Sequence, residues 1–266
     1  KIFRMERYGV KPDTGADMAP IMAKALEAIK TEARNADSIV LVLKRGRYDF
    51  HPEHAATREY YISNHDQDNP KHIGICLEGW NNTTLDGKGA DLVFHGRMLP
   101  VSLVNSHNCS LRNLSIDFAN PHITQVEITA NNPENSTITY RPAPWTRWDI
   151  QDGHFVAMGD GWQHTPQAGI AFDKVTRHIL YRTSDIGVGV HGAQRNADGT
   201  VTASWNDSRL TPGTIVAMRT YGRPTPGIFM YKDVRTALAN ISVHYAEGMG
   251  LLAQMCTDID MRGFNV

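Results

Sequence analysis

Four short stretches of this chain can be laid over one another. They are Leu85-Asp86-Gly87-Lys88-Gly89-Ala90, Leu111-Arg112-Asn113-Leu114-Ser115-Ile116, Leu238-Ala239-Asn240-Ile241-Ser242-Val243 and Met261-Arg262-Gly263-Phe264-Asn265-Val266. Each begins and ends on an apolar residue and carries Asn or Gly at its third position. The starts lie 26 residues apart for the first pair and 23 for the last. Apolar residues alternate within each unit, as in a strand with one buried face. A strand-like unit repeating every about 20–30 residues cannot bury its own apolar face and does so by stacking on its neighbours. The expected fold is therefore all-β: a right-handed parallel β-helix, or solenoid.

The spacing between the middle repeats is as informative. Leu111 and Leu238 are 127 residues apart where one winding needs about 23, so about 104 residues are inserted. That is enough for a small domain. The boundaries expected are 1–118 for a cap and the first coils, 119–226 for the insertion and 227–266 for the continuing solenoid. The last repeat ends on Val266 with no segment to cover an exposed core. The sequence therefore reads as one whose C-terminal coils are missing from these 266 residues.

Tyr8 to Ala16 read as a strand and a turn, and Asp17 is placed to cap a following helix. Met22, Ala25, Leu26 and Ile29 give that helix one apolar face, suited to plugging the open end of a solenoid. Ile39-Val40-Leu41-Val42-Leu43 reads as a buried parallel strand. Residues 51–72 are polar and irregular; their His and Asp residues match no metal-ligand spacing and suit turns. Asn82 and Asn108 stand three residues before a repeated Leu, Asp258 takes that place in the last coil, and Arg235 breaks the series. Stacked Asn side chains at solenoid turns satisfy exposed backbone groups. Short strands and turn signals in 119–226 point to a small antiparallel barrel or sandwich. Four of the five Trp (Trp145, Trp148, Trp162 and Trp205) lie there, as core or as sugar-binding faces.

Composition narrows the function classes. Twenty-seven Lys and Arg balance 28 Asp and Glu, which supplies no long-range field for nucleic acid or anionic membranes. There is no apolar run long enough to span a bilayer and no visible signal peptide. Cys76, Cys109 and Cys256 form no disulfide framework and suit buried thiols, which fits a bacterial periplasmic or secreted protein.

Six residues beyond each repeated Leu the pattern predicts one outward column, with Asp91, Asp117 and His244 as members. An oxygen-rich column suits a sugar, although Asp91 and Asp117 also suit ordinary turn bonds. Tyr245, Glu247 and Gln254 follow in the next turn and strand, and Arg97 and Arg223 are candidate hydroxyl donors. The substrate-binding set expected is Asp117, His244, Tyr245, Gln254 and Arg97.

Tyr8-Gly9-Val10-Lys11-Pro12-Asp13-Thr14-Gly15-Ala16, followed by an Ala-rich helix, resembles the N-terminal cap of the pectate-lyase-like β-helix superfamily. Arg58-Glu59-Tyr60-Tyr61-Ile62-Ser63-Asn64, Phe94-His95-Gly96-Arg97-Met98, Ser106-His107-Asn108 and Ser115-Ile116-Asp117-Phe118 resemble glycoside hydrolase family 110 more specifically. The resemblance implies an exo-acting α-1,3-galactosidase that acts with inversion on galactose-terminated glycans or galactans. It implies no cofactor and no metal, and it leaves homo-oligomers open. The family's catalytic acids, an Asp-Asp pair among them, lie in later coils, and no Asp-Asp dipeptide occurs here. No catalytic residue is therefore assigned before Val266, and this fragment alone is expected to be inactive. A polygalacturonan hydrolase or lyase shares the cap and the solenoid but favours a cationic groove. A non-catalytic glycan-binding β-helix would lack paired acids altogether.

Overall fold

Leu85, Leu111, Leu238 and Met261 lie side by side on four neighbouring parallel strands. The computed structural model describes residues 1–266 and is mostly β, with several sheets and one α-helix. The four strands are Thr83–Phe94, His107–Phe118, Val234–Val243 and Thr257–Asn265. A second parallel set runs through Lys71–Glu78, Leu99–Val104, Ile228–Tyr231 and Leu251–Gln254, with Ile75, Val101, Ile228 and Leu251 in register. The chain passes from a strand of the second set to a strand of the first through a short turn and repeats this four times. Leu85, Leu111, Leu238, Ile75, Val101 and Ile228 are all fully buried. Each such side chain stabilises the fold by about 1.5–3 kcal/mol through its burial. An aromatic stack runs through successive layers: Phe50 on Phe94 at 4.9 Å, Phe94 on Phe118 at 5.8 Å, and Phe118 edge-on to Tyr245 at 5.5 Å.

Left-handed residues make the corners. Gly79, Asn105, Lys232 and Met255 form one set with positive φ; Asn82, Asn108, Arg235 and Asp258 form a second; Gly89, Asn113, Asn240 and Gly263 form a third. Asn and Gly tolerate this conformation best. Arg235 keeps the corner geometry, with φ 58°, and breaks only the chemistry of its column. Asn108 Nδ2 donates to Asn82 Oδ1 at 2.8 Å, and Asn240 Nδ2 to Asn113 Oδ1 at 3.2 Å. Such rungs satisfy side-chain amides that the turns leave exposed.

The first repeat slips against the others. Asp86 pairs with Arg112, but the next pair is Ala90 with Leu114, so two extra residues sit in the earlier strand. A Cβ on Gly87 would stand 2.5 Å from the Asn113 carbonyl oxygen, which is why glycine occupies the bulge. Asp91 is consequently opposite Ser115, whose Oγ donates to it at 2.7 Å, and is not in the column of Asp117. The partner of Asp117 is Val93, and the partner of Val93 is Asp49.

The helix Ala19–Glu32 begins where Asp17 Oδ1 accepts from Ala19 N at 2.9 Å; the same oxygen accepts from His51 N at 3.0 Å. Its buried Met22, Ala25, Leu26 and Ile29 join the same core as the stacked strands. That core belongs to one compact unit, Lys1–Ala119 with Gly222–Val266. A second unit, Asn120–Tyr221, is a ten-stranded antiparallel sheet whose hydrogen-bonded order does not close on itself. Its core includes Tyr140, Phe155 and Trp205, with Tyr140 Oη donating to the Gly189 carbonyl at 2.9 Å. Trp162 and Trp205 are buried, Trp148 is half-buried under the Arg195 guanidinium, and Trp145 is exposed.

Candidate functional site

Adjacent residues of a strand point to opposite faces. Phe50, Phe94 and Phe118 point into the core, so Asp49, Val93 and Asp117 form an outward column. Asp49 Oδ1 accepts from Arg47 Nη2 at 2.6 Å and from His95 Nε2 at 2.9 Å. Burial pushes the Asp49 carboxyl up, but the Arg47 and His95 bonds outweigh it and hold the group below its ordinary range. His95 lies face to face with His51 at 4.0 Å. Asp117 is half-buried, with Oδ1 accepting from Phe118 N at 2.8 Å. The next strand adds exposed His244, whose N–H donates to the Ile116 carbonyl at 2.8 Å, and half-buried Tyr245 against Phe118. The strand ends thus bring Asp117, His244 and Tyr245 together and set them beside an Arg47–Asp49–His95 group. Carboxylate, imidazole and phenol side by side offer the mixed donors and acceptors that a polyhydroxylated ligand needs.

Gln254 belongs to a different arrangement. Its Nε2 donates to the Tyr61 carbonyl at 3.2 Å and its Oε1 accepts from Ser63 N, so both ends of the amide grip the segment 59–70. His65 continues the strap: Nδ1 donates to the Ser63 carbonyl at 2.9 Å and Nε2 accepts from Met249 N at 3.2 Å. That pair of bonds requires the neutral ring, and burial lowers its pKa accordingly. Gly248 lies so near that a Cβ would stand 2.3 Å from the imidazole. Asp66 N donates to the Arg223 carbonyl at 2.9 Å, and Arg223 N returns a bond to Asp66 Oδ2 at 2.8 Å. The ammonium of buried Lys71 donates to the carbonyls of Asp66 at 2.8 Å and Pro224 at 3.0 Å, and burial lowers its pKa. Glu247 is buried next to Thr225 Oγ1, 3.4 Å from its Oε2. Arg97 is exposed in the turn before Leu99–Val104, and no hydrogen bond joins it to either group.

Gln254→Ala should loosen the strap without unfolding the strands beneath it. Losing two side-chain bonds to exposed backbone costs about 1–2 kcal/mol. Amide hydrogen exchange should accelerate in residues 59–70 and stay unchanged in Thr83–Phe94; equal protection in both would show that the amide carries no part of the strap.

Sequence reasoning missed Arg47, Asp49, His95, His65 and Lys71 as members of these groups. The outward alternation Arg47, Asp49, His51 around the buried Phe50 was the available signal for the first two. Lys71 carried no signal, because a lysine at a strand start is normally exposed.

A family model described as GLAA-B beta-barrel domain I matches residues 124–216, inside the second unit. Among curated proteins, the chain is 52% identical over 268 residues to an alpha-1,3-galactosidase B of Phocaeicola vulgatus, covering 100% of this chain and 44% of that one. It is 51% identical to the alpha-1,3-galactosidase B of Parabacteroides distasonis over 99% of this chain and 43% of that one. It is 30% identical to that of Akkermansia muciniphila over 100% of this chain and 33% of that one. The chain spans less than half the length of these relatives. Identity at this level, sustained through both units, reflects common descent, and the chain belongs with these proteins to glycoside hydrolase family 110.

Proposed function

We propose that the protein to which this chain belongs is an exo-acting α-1,3-galactosidase that removes terminal α-linked galactose with inversion from glycans or galactans outside the cytoplasm, in the periplasm or as a secreted enzyme. The observation that carries the reading is identity of 50–52% with proteins named alpha-1,3-galactosidase B. The parallel register of the repeated leucines supports a right-handed parallel β-helix as the scaffold, with the antiparallel unit inserted between two of its coils. A neutral sugar suits a chain whose net charge is only −1.

Inversion requires two carboxyl groups about 6.5–9.5 Å apart, one protonated to assist the leaving oxygen and one ionised to activate water. The present chain contributes a binding wall to that reaction: Asp117, His244 and Tyr245 at the strand ends, with Arg97 as a further donor and Gln254 holding the strap. Full-length protein should release galactose from α-1,3-galactobiose, and proton NMR of the first product should show the β-anomer. Absence of galactose from both this disaccharide and p-nitrophenyl α-galactoside would overturn the reading.

Asp117→Asn should raise KM by about tenfold or more, because a bond between a sugar hydroxyl and a carboxylate contributes about 1.5–3 kcal/mol. kcat should change little, since the interaction is the same in ground and transition states. The amide still accepts from Phe118 N, so the strand end is preserved. Steady-state kinetics on α-1,3-galactobiose check this, and an unchanged KM would remove Asp117 from the wall.

A further inference from the structure

The antiparallel unit holds one indole in a fixed place with an unused donor. Trp162 lies opposite Gly159 in the paired strand, and a Cβ on that glycine would meet the indole at 2.4 Å. His164 stacks on the ring at 5.0 Å, and His122 lies 4.5 Å away on a tilted plane. Trp162 is only 9% exposed, yet its Nε1–H has no hydrogen-bond partner. An indole nitrogen can only donate, and buried ones nearly always find an acceptor.

The same indole lines a cavity of about 10 Å³ together with Trp145, Thr146, Arg147 and Asn120. Thr146 Oγ1 is also buried without a partner. The unmatched donor and hydroxyl thus belong to two residues that line one space with room for about one oxygen. Trp145 beside it is 44% exposed and offers an apolar face. Arg147 is oriented by Asn120 Oδ1 at 3.2 Å and by Asp160 at 2.8 Å, with further N–H groups to give.

We propose that this cleft is a carbohydrate subsite of the inserted unit: a neutral pyranoside stacks one ring on Trp145 and inserts one hydroxyl that accepts from Trp162 Nε1–H and bonds Thr146 Oγ1. The C–H face of a pyranose matches an exposed indole, and its hydroxyls match the paired buried groups. The subsite binds without cleaving, so it goes beyond the galactosidase reading and stands or falls separately from it.

The test is a titration of the full-length protein with methyl β-galactopyranoside, which an α-galactosidase does not hydrolyse, followed through the indole N–H signals in proton–nitrogen NMR. Trp145→Ala and Trp162→Phe assign the two signals. Both should shift with sugar, while that of Trp80, buried in the other unit, stays in place. Trp145→Ala should weaken this binding about tenfold through the lost stacking face. Trp162→Phe keeps the ring but removes the donor and should weaken it about threefold to tenfold. Near-ultraviolet circular dichroism confirms that each variant is folded. Signals unmoved at large sugar excess would mean that the cleft holds water only, and wild-type affinity in Trp162→Phe would overturn the inserted hydroxyl.

Discussion

Leu111→Ala lowers the free energy of unfolding by about 3 kcal/mol and Leu238→Ala by a similar amount. Both side chains are fully buried in one column. Truncating a buried leucine removes its transfer energy and leaves a cavity that the stacked neighbours only partly fill. Because Leu111 and Leu238 are partners in register, the double variant should lose less than the sum of the single losses. The second truncation enlarges an existing cavity that the first has already allowed to relax. Guanidinium unfolding curves of the two single variants and the double check the pattern. Strictly additive losses would separate two residues 127 positions apart in sequence that the stack places side by side.

The column was legible because leucine recurs at one phase of a strand-like unit, and burial demands that phase in every layer. Its slip at Gly87 and Lys88 was not legible. Two extra residues leave the in-and-out alternation of a strand unchanged, so a pattern of period two conceals the insertion. Only the close approach of Gly87 to the Asn113 carbonyl shows where the extra residues bulge. That slip is why Asp91 was grouped with Asp117 although Asp49 is the carboxylate two strands away. The corners divide in the same way. Asn82 and Asn108 announce left-handed turns by residue type, while Lys232, Arg235 and Met255 adopt the same turn because their stacked neighbours impose it.

The strap illustrates a further limit of local patterns. Gln254 stood out as polar within an apolar run, but its partners Tyr61 and Ser63 lie about 190 residues earlier. A contact at that separation has no local periodicity to betray it. Trp145 and Trp162 were equally conspicuous in the sequence, and only folding distinguishes the exposed face of one from the buried donor of the other. A sequence shows which side chains are suited to bind; the fold decides which of their atoms remain unmatched.

Asp233→Asn removes a pH-dependent loss of stability of about 2 kcal/mol that the native protein suffers between about pH 4 and pH 6. Asp233 follows the left-handed corner at Lys232, as Ser106 and Cys256 follow theirs, and is fully buried in that column. Its Oδ1 accepts from Ser106 N at 2.7 Å, while Oδ2 is buried with no partner. Burial pushes the carboxyl up to about 6, and the Ser106 bond and nearby His107 only partly offset it. In the unfolded chain the group titrates near 3.8. Between these values the native state binds the extra proton, so stability falls as pH rises through the window and is level above it. A gap of about two pH units corresponds to at most about 3 kcal/mol, and relaxation around the charge reduces this to about 2. His65 acts in the opposite direction, because a ring held neutral in the fold costs stability as pH falls below its ordinary value. The wild-type profile therefore mixes both groups, and the difference between wild type and Asp233→Asn isolates one. Asparagine retains the Ser106 bond and cannot ionise, so the variant should gain on wild type steadily from pH 4 to pH 6 and hold that gain at pH 8. Denaturant unfolding at matched pH values measures the difference, and a gap that does not vary with pH would mean that the Asp233 carboxyl titrates in the fold as it does in the unfolded chain.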